Sequence, residues 1–360
     1  MKAYWFIAII TVLLHKCMPC RSNSGYLRNL IISFIPFFIY GAIRVDYGAD
    51  YPAYEMFFDL FHGSTSFVPD EEHHAEIGYQ FLCYVMPSFR SILILNSLLL
   101  SASFVVFIYK NVPSNYAWLA ICLIFLMPEK NIFGSLVGIR NGLVVSSFVL
   151  AYTFVQQRKP LHLAITALVL STIHTSAIAY LPFAYLVARN SSITKKELYI
   201  WGTIGIVLMI ASMSTLVNIL LPIFRIIASR YEETLLDMQN GSRGTLNFVA
   251  NYIMMIAFIY FGYKKNEELE PEQKSLLRMA ALYCIAGYLG GISGRMTYYF
   301  AIYYIGGIVL LFSYNKGKNK YLRYVFLGFA VLIACYATFY VWMGAEWWNH
   351  GTYHSLIGDF

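Results

Sequence analysis

Long apolar runs broken by short polar joints dominate this chain, and four of them, Ser91 to Tyr109, Leu198 to Leu221, Phe248 to Tyr263 and Tyr324 to Gly344, contain no charged residue. Each reaches or nearly reaches the roughly 20 residues a helix needs to cross a ~30 Å hydrocarbon core. Lipid offers the backbone no water, so only helices and closed barrels span it. These runs are continuously apolar, whereas barrel strands alternate in polarity over ~10 residues. The pattern therefore predicts an all-α protein, a polytopic membrane helical bundle of about 12 passes. The predicted passes are residues 3–18, 28–43, 88–110, 115–132, 138–157, 160–174, 175–189, 198–221, 245–263, 275–292, 295–314 and 322–344. They form a single integral membrane domain over 1–360, with outer loops at 44–87 and 222–244.

Composition agrees: 59% of the residues are hydrophobic and 12% charged, about half the ~25% charged fraction of a soluble domain. The first run, Tyr4 to Leu14, is short enough for a signal-peptide core. It lacks a strong charged region before it and a small-x-small cleavage site after it, so it reads as the first pass. Cytoplasmic loops retain Lys and Arg. Assigning alternate joints to the cytoplasm, starting with residues 16–28, collects 17 of the 26 basic residues and five of the 19 acidic ones, a net of +12. The other side, with nine basic and 14 acidic residues, is −5, and both termini face outward. Of six cysteines only Cys17 and Cys20 form a CxxC pair, weak grounds for zinc or redox chemistry without a second ligand set.

Orientation also constrains the stretch Pro160 to Ala188. Arg158 with Lys159 and Lys195 with Lys196 belong on one side, so the 29 residues between must make two passes. At about 14 residues each, they supply only ~21 Å of helix against ~30 Å of hydrocarbon. A short hairpin with its tip near His174, below the outer surface, follows. Similar arithmetic recesses Arg44, at the end of a 14-residue run, and Arg140, at the start of a 15-residue one. Arg295 lies in a turn too short to climb far from the membrane.

Arginines near the hydrocarbon boundary are costly enough to suggest a bound partner, although snorkelling to lipid phosphates explains any single one. Three on the less basic side favour a shared anionic ligand. The outer stretch adds Asp50 and Glu76 among aromatics, whereas Asp70, Glu71 and Glu72 read as solvated charges. Its tyrosines could stack on sugar faces or mark the interface. Within Thr172-Ile173-His174-Thr175-Ser176-Ala177, His174 is a conspicuous polar group in an apolar setting. Ser176 is too close in sequence to His174 to imply a dyad, and Ser293 lacks a full GxSG setting. No Walker A loop, dinucleotide-binding glycine pattern, HExxH or metal-ligand cluster occurs, so no cofactor and no metal are expected.

The series Arg44-x-Asp46-Tyr47-Gly48-x-Asp50-Tyr51-x-x-Tyr54, Glu76-x-Gly78-Tyr79, Arg140 opening a helix, and His174-x-Ser176-Ala177 before Leu181-Pro182 resembles the EpsG family of Wzy-like polysaccharide polymerases. Order and spacing match over residues 40 to 185, and the hydropathy resembles the family throughout. The family loop usually reads Gly-Thr-Asp-Tyr, and Ala49 here replaces the threonine. The resemblance implies a membrane glycosyltransferase extending an O-antigen or exopolysaccharide at the outer face of the bacterial inner membrane. A GT-C-like arrangement is one form such a bundle takes. The implied substrate is an undecaprenyl-pyrophosphate-linked oligosaccharide, with membrane lipid as surroundings, room for a chain-length regulator, and no nucleic acid.

On that reading Arg44, Arg140 and Arg295 would hold the pyrophosphate by charge-assisted bonds. His174 ranks ahead of Asp50 and Glu76 as general base, and Tyr51, Tyr54 and Tyr79 are candidate sugar contacts. The arginines should converge with His174 on a cavity open to the outer surface and sideways to lipid, with a carboxylate such as Asp50 or Glu76 partly neutralising them when no ligand is bound. A transporter or flippase of a lipid-linked or anionic substrate could use the same arginines, but predicts inverted halves that the sequence does not display. A membrane acyltransferase would place its histidine nearer the cytoplasmic side.

Overall fold

The computed structural model describes residues 2–18, 22–69, 75–127, 129–156, 160–178, 192–212, 245–288, 294–314, 354–356 and 358–359, with single positions 321, 324, 328 and 332. The proposed loop 222–244, most of the passes 175–189 and 322–344, the acidic run Asp70 to Glu72, and Cys20 lie outside the described residues.

Thirteen helices carry the described chain: α1 (Lys2–Cys17), α2 (Asn23–Ala42), α3 (Tyr51–Phe61), α4 (Ile77–Val85), α5 (Phe89–Asn111), α6 (Ala117–Leu126), α7 (Gly134–Val137), α8 (Ile139–Gln156), α9 (Pro160–Ile173), α10 (Lys195–Ser212), α11 (Thr245–Lys264), α12 (Pro271–Tyr288) and α13 (Gly294–Tyr314). One turn of π-helix, Glu129–Phe133, leads into α7. Among the described residues, α2, α5 and the Thr297–Tyr314 part of α13 are long and apolar enough to cross a membrane. A fourth span results if Ser114–Leu126 and Asn131–Val137, bent by 82°, count as one.

The stretch 44–87 contains two short helices, α3 and α4. Tyr51, Tyr54, Phe58 and Phe61 fall on one face of α3 and are buried, a helical period that the interspersed acids obscure in the sequence. Tyr79 and Cys83 bury the matching face of α4, and Phe89, Ile92, Ile139 and Leu143 from α5 and α8 complete that core. A small sheet departs from the all-α expectation. Strand β1 (Arg44–Val45) pairs antiparallel with β2 (His354–Ser355), which pairs with β3 (Gly358–Asp359). The backbone N–H of Leu356 donates to Ile43 O at 3.1 Å, so the far end of the chain returns to the end of α2.

Contacts divide the chain into two compact units, residues 1–182 with 308–360, and residues 183–307. In the first, Ser22 caps α2 by accepting from Gly25 N at 3.1 Å, and Ser88 caps α5 by accepting from Ser91 N at 3.2 Å. Tyr26, in the first turn of α2, donates to Val112 O just past α5 at 3.1 Å. At the opposite ends of these helices Arg90 donates to Ala42 O at 3.1 Å and to Arg44 O at 2.5 Å. The two helices thus run antiparallel, and one end of the unit gathers Arg44, Arg90 and the start of α8. In the second unit Arg278 of α12 binds Glu197 of α10 through Nε at 2.6 Å and Nη2 at 2.8 Å, a two-pronged pairing.

Candidate active site

Three residues far apart in sequence meet at the junction of α4, α8 and α9. Glu76 occupies the N-cap position of α4, but its side chain makes no cap bond. One carboxylate oxygen, Oε2, instead accepts from Arg140 Nη1. The other, Oε1, lies 2.9 Å from His174 Nδ1 and accepts from the Thr175 backbone N–H at 3.1 Å. The side chains of Arg140, Glu76 and His174 keep 20%, 19% and 9% of their surface exposed, so the group is recessed without being sealed.

Local structure explains the meeting. Arg140 follows the break at Gly138 that separates α7 from α8, which puts it in the first turn of α8. Its guanidinium carbon lies 5.7 Å from the Tyr54 ring and 5.8 Å from the Tyr79 ring, in cation–π range of both. His174 immediately follows the last turn of α9, with its backbone N–H bonded to Leu170 O at 2.9 Å. Gly78 lets α4 approach that turn: a Cβ there would fall 2.2 Å from Thr172 Oγ1 and 2.8 Å from the Thr172 carbonyl. Without that approach Glu76 could not reach His174.

Electrostatics assign protons. Burial alone would push the Glu76 carboxyl up. The His174 bond, the Arg140 charge and the backbone N–H groups of Glu76 and Thr175 outweigh it and bring the pKa down to about 2. Glu76 is then a carboxylate at neutral pH, able only to accept. Nδ1 of His174 must therefore carry the proton, and Nε2 is the basic atom of the neutral ring.

Of the other expected site residues, Tyr54 and Tyr79 lie against Arg140, whereas Arg44, Asp50 and Tyr51 have other surroundings. Arg44 is fully buried. Its Nη1 donates to Gly41 O and to Ser97 Oγ, the latter at 3.2 Å, and its Nη2 donates to Leu136 O at 3.1 Å. It braces the carbonyl ends of α2 and α7, where helix dipoles favour a cation. Asp50 is exposed at the N-cap position of α3 and makes no cap bond. Tyr51 packs edge-on against Phe89 at 5.2 Å. Tyr54 and Tyr79, 5.6 Å apart, are buried beneath Arg140 rather than presenting open faces. Arg295 belongs to the first turn of α13, and its side chain lies outside the described residues.

Gly78, Thr175, Ser97 and Arg90 carry structural work that their sequence surroundings do not announce. Gly78 did stand in the quoted motif, whereas nothing in the pattern singles out Arg90. Among the described residues no group of three or more His, Cys, Asp or Glu side chains is placed to hold a metal ion.

A model of the EpsG family matches residues 27–353, which include Glu76, Arg140 and His174. The chain belongs to the EpsG family. No curated protein and no solved structure matches it. Membership in EpsG, with the apolar helices, makes this a membrane protein with a polysaccharide polymerase-like, glycosyltransferase-like function.

Proposed function

We propose that this EpsG protein joins undecaprenyl-pyrophosphate-linked oligosaccharide repeat units at the outer face of the bacterial inner membrane. The carrying observation is the trio in which Glu76 binds Arg140 through one oxygen and His174 through the other. In the reaction an acceptor sugar hydroxyl attacks the anomeric carbon of the donor, a new C–O bond forms, and the bond from that carbon to pyrophosphate breaks. His174 Nε2 takes the hydroxyl proton as general base. Glu76 holds the ring in the required tautomer and offsets the charge it gains, as a carboxylate does in other histidine-based sites. Arg140 meets the negative charge developing on the departing pyrophosphate, with a planar fork suited to phosphate.

The proposal places the protein in about a dozen passes, GT-C-like, with the trio on the outer side and both termini outward. Pairing of β1 with β2 supports one part of this, a common side for residues 354–355 and 44–45. The neutralised trio also suits a recessed position, where an unpaired charge is expensive. The test is the lipid-linked glycan profile of a deletion strain. Accumulation of single repeat units on the carrier at the outer face is expected. Absence of outer-face units would point to a flippase and overturn the assignment.

A further inference from the structure

The exposed surface beside the trio is rich in apolar side chains. Helix α4 has no charged residue, and Ile77, Phe81 and Val85, one turn apart, point outward about half exposed. The neighbouring helix α9 exposes Ile165, Leu168 and Val169 over its last turns, with Thr172 as the exposed polar residue at its end. Exposed apolar surface of this extent marks a partner or a membrane. Helix α3, packed against α4, exposes the acids Glu55 and Asp59 along with Met56 and Leu60.

Length and packing set the depth of this surface. Helix α9 has 14 residues and starts next to Arg158 and Lys159. At 1.5 Å per residue it rises at most ~21 Å, which leaves its end roughly 9 Å short of the far side of a ~30 Å core. Thr172, in that last turn, is the residue against which Gly78 packs without room for a Cβ. The first turn of α4 therefore shares the depth of the end of α9. A nine-residue helix cannot span, but it can lie at membrane depth with an uncharged outer face.

We propose that α4 and the last turns of α9 form a lipid-facing wall along which the hydrocarbon tail of the lipid-linked substrate lies while its pyrophosphate reaches Arg140. The wall's depth stands on the helices alone; its occupant rests on the function proposed above. Continuity carries the occupant: Glu76 starts α4 and His174 ends α9, so one molecule with a polyprenyl tail and an anionic head spans apolar wall and charged trio together. The substrate then arrives sideways from the bilayer, and its tail never leaves hydrocarbon.

Spin labels at Phe81→Cys and Val85→Cys in a cysteine-free full-length protein in liposomes test the depth, with Asp59→Cys as the aqueous control. Labels at 81 and 85 should collide more with dissolved oxygen than with a water-soluble nickel chelate, and the label at 59 should do the reverse. Greater nickel contact at both 81 and 85 overturns the wall. A polyprenyl pyrophosphate with a photoreactive group on its first isoprene units then tests the occupant. Cross-linking to peptides of α4 or α9 should fall with excess unlabelled polyprenyl pyrophosphate and not with phosphatidylglycerol. Cross-linking that phosphatidylglycerol suppresses equally means that the wall meets bulk lipid only, and overturns the tail assignment. A competed cross-link in a protein whose deletion leaves no outer-face units would keep the wall and remove the polymerase.

Discussion

Glu76 Oε1 lies 2.9 Å from His174 Nδ1, although 98 residues separate the two in sequence. With Oε2 on Arg140, this contact makes one carboxylate the link between a base and a cation. Glu76→Gln retains shape and removes the charge that fixes the ring. We expect polymer formation to fall roughly 10²–10⁴-fold, the range typical of lost general-base assistance, with normal membrane abundance. Unchanged polymer length and yield in a complemented deletion strain would take Glu76 out of the mechanism.

The lowered pKa of Glu76 makes a separate statement about stability. A carboxyl whose folded pKa is depressed contributes stability that is complete above its unfolded value and is lost as pH falls through the folded one. For Glu76 the window runs from 4.5 down to about 2. The Tm difference between the wild type and Glu76→Gln in detergent should hold constant from pH 7 to 4.5 and shrink below that. A difference that already collapses between pH 7 and 5 would mean that Arg140 and His174 do not hold the carboxylate as described.

Gly78 tests the route by which the trio is assembled. Gly78→Ala places a methyl group against both the side chain and the backbone of Thr172, an overpacking that costs on the order of 1–3 kcal/mol. It should separate α4 from α9 and reduce polymer formation. Combining it with Thr172→Ala should fail to restore activity, because the carbonyl remains in the way. Full rescue by the double variant would show that only the side-chain contact matters.

Arg44 and Arg140 should respond differently to substitution. Arg44→Ala removes the guanidinium donors that Gly41 O and Leu136 O accept in a buried setting, so a loss on the order of 3 kcal/mol and reduced abundance are expected. Arg140→Lys should leave abundance normal and still lose chain extension, since a point charge does not reproduce a planar fork. Thermal melting in detergent, read beside polymer yield, separates the outcomes. Equal effects on both readouts at both positions would refute the division of labour.

Topology has its own check. A cysteine at Ser66, exposed in the segment between α3 and α4, should react with an impermeant thiol reagent applied to intact cells with an opened outer membrane, as should one at Ser242, while one at Asn319 should not. Labelling at Asn319 would reverse the orientation.

Much of this arrangement was readable from residues alone, for identifiable reasons. Hydrocarbon forces long uncharged runs, so α2, α5 and the bulk of α13 were visible as passes. Arg140, Glu76 and His174 stood out because charge and imidazole are costly near such runs. Asp50 and Glu76 could be placed beside helix starts, but the extent of α3 and α4 was not visible, since a short helix needs only one apolar face and the acids of α3 break the run. Arg44 was visible as a recessed cation, but its partners are backbone carbonyls of α2 and α7, and carbonyls leave no mark in a sequence. Gly78 was visible as a motif letter, yet the missing Cβ acquires meaning only when Thr172, 94 positions later, is seen against it.

The most direct measurement of the central claim is single-turnover polymerisation in liposomes carrying purified protein and a defined undecaprenyl-pyrophosphate-linked repeat unit. Wild type should convert single repeats to doubled and longer chains with release of undecaprenyl pyrophosphate. His174→Ala, still binding the lipid-linked substrate, should do so roughly 10²–10⁴-fold more slowly. A wild-type rate for His174→Ala in that assay would contradict the account.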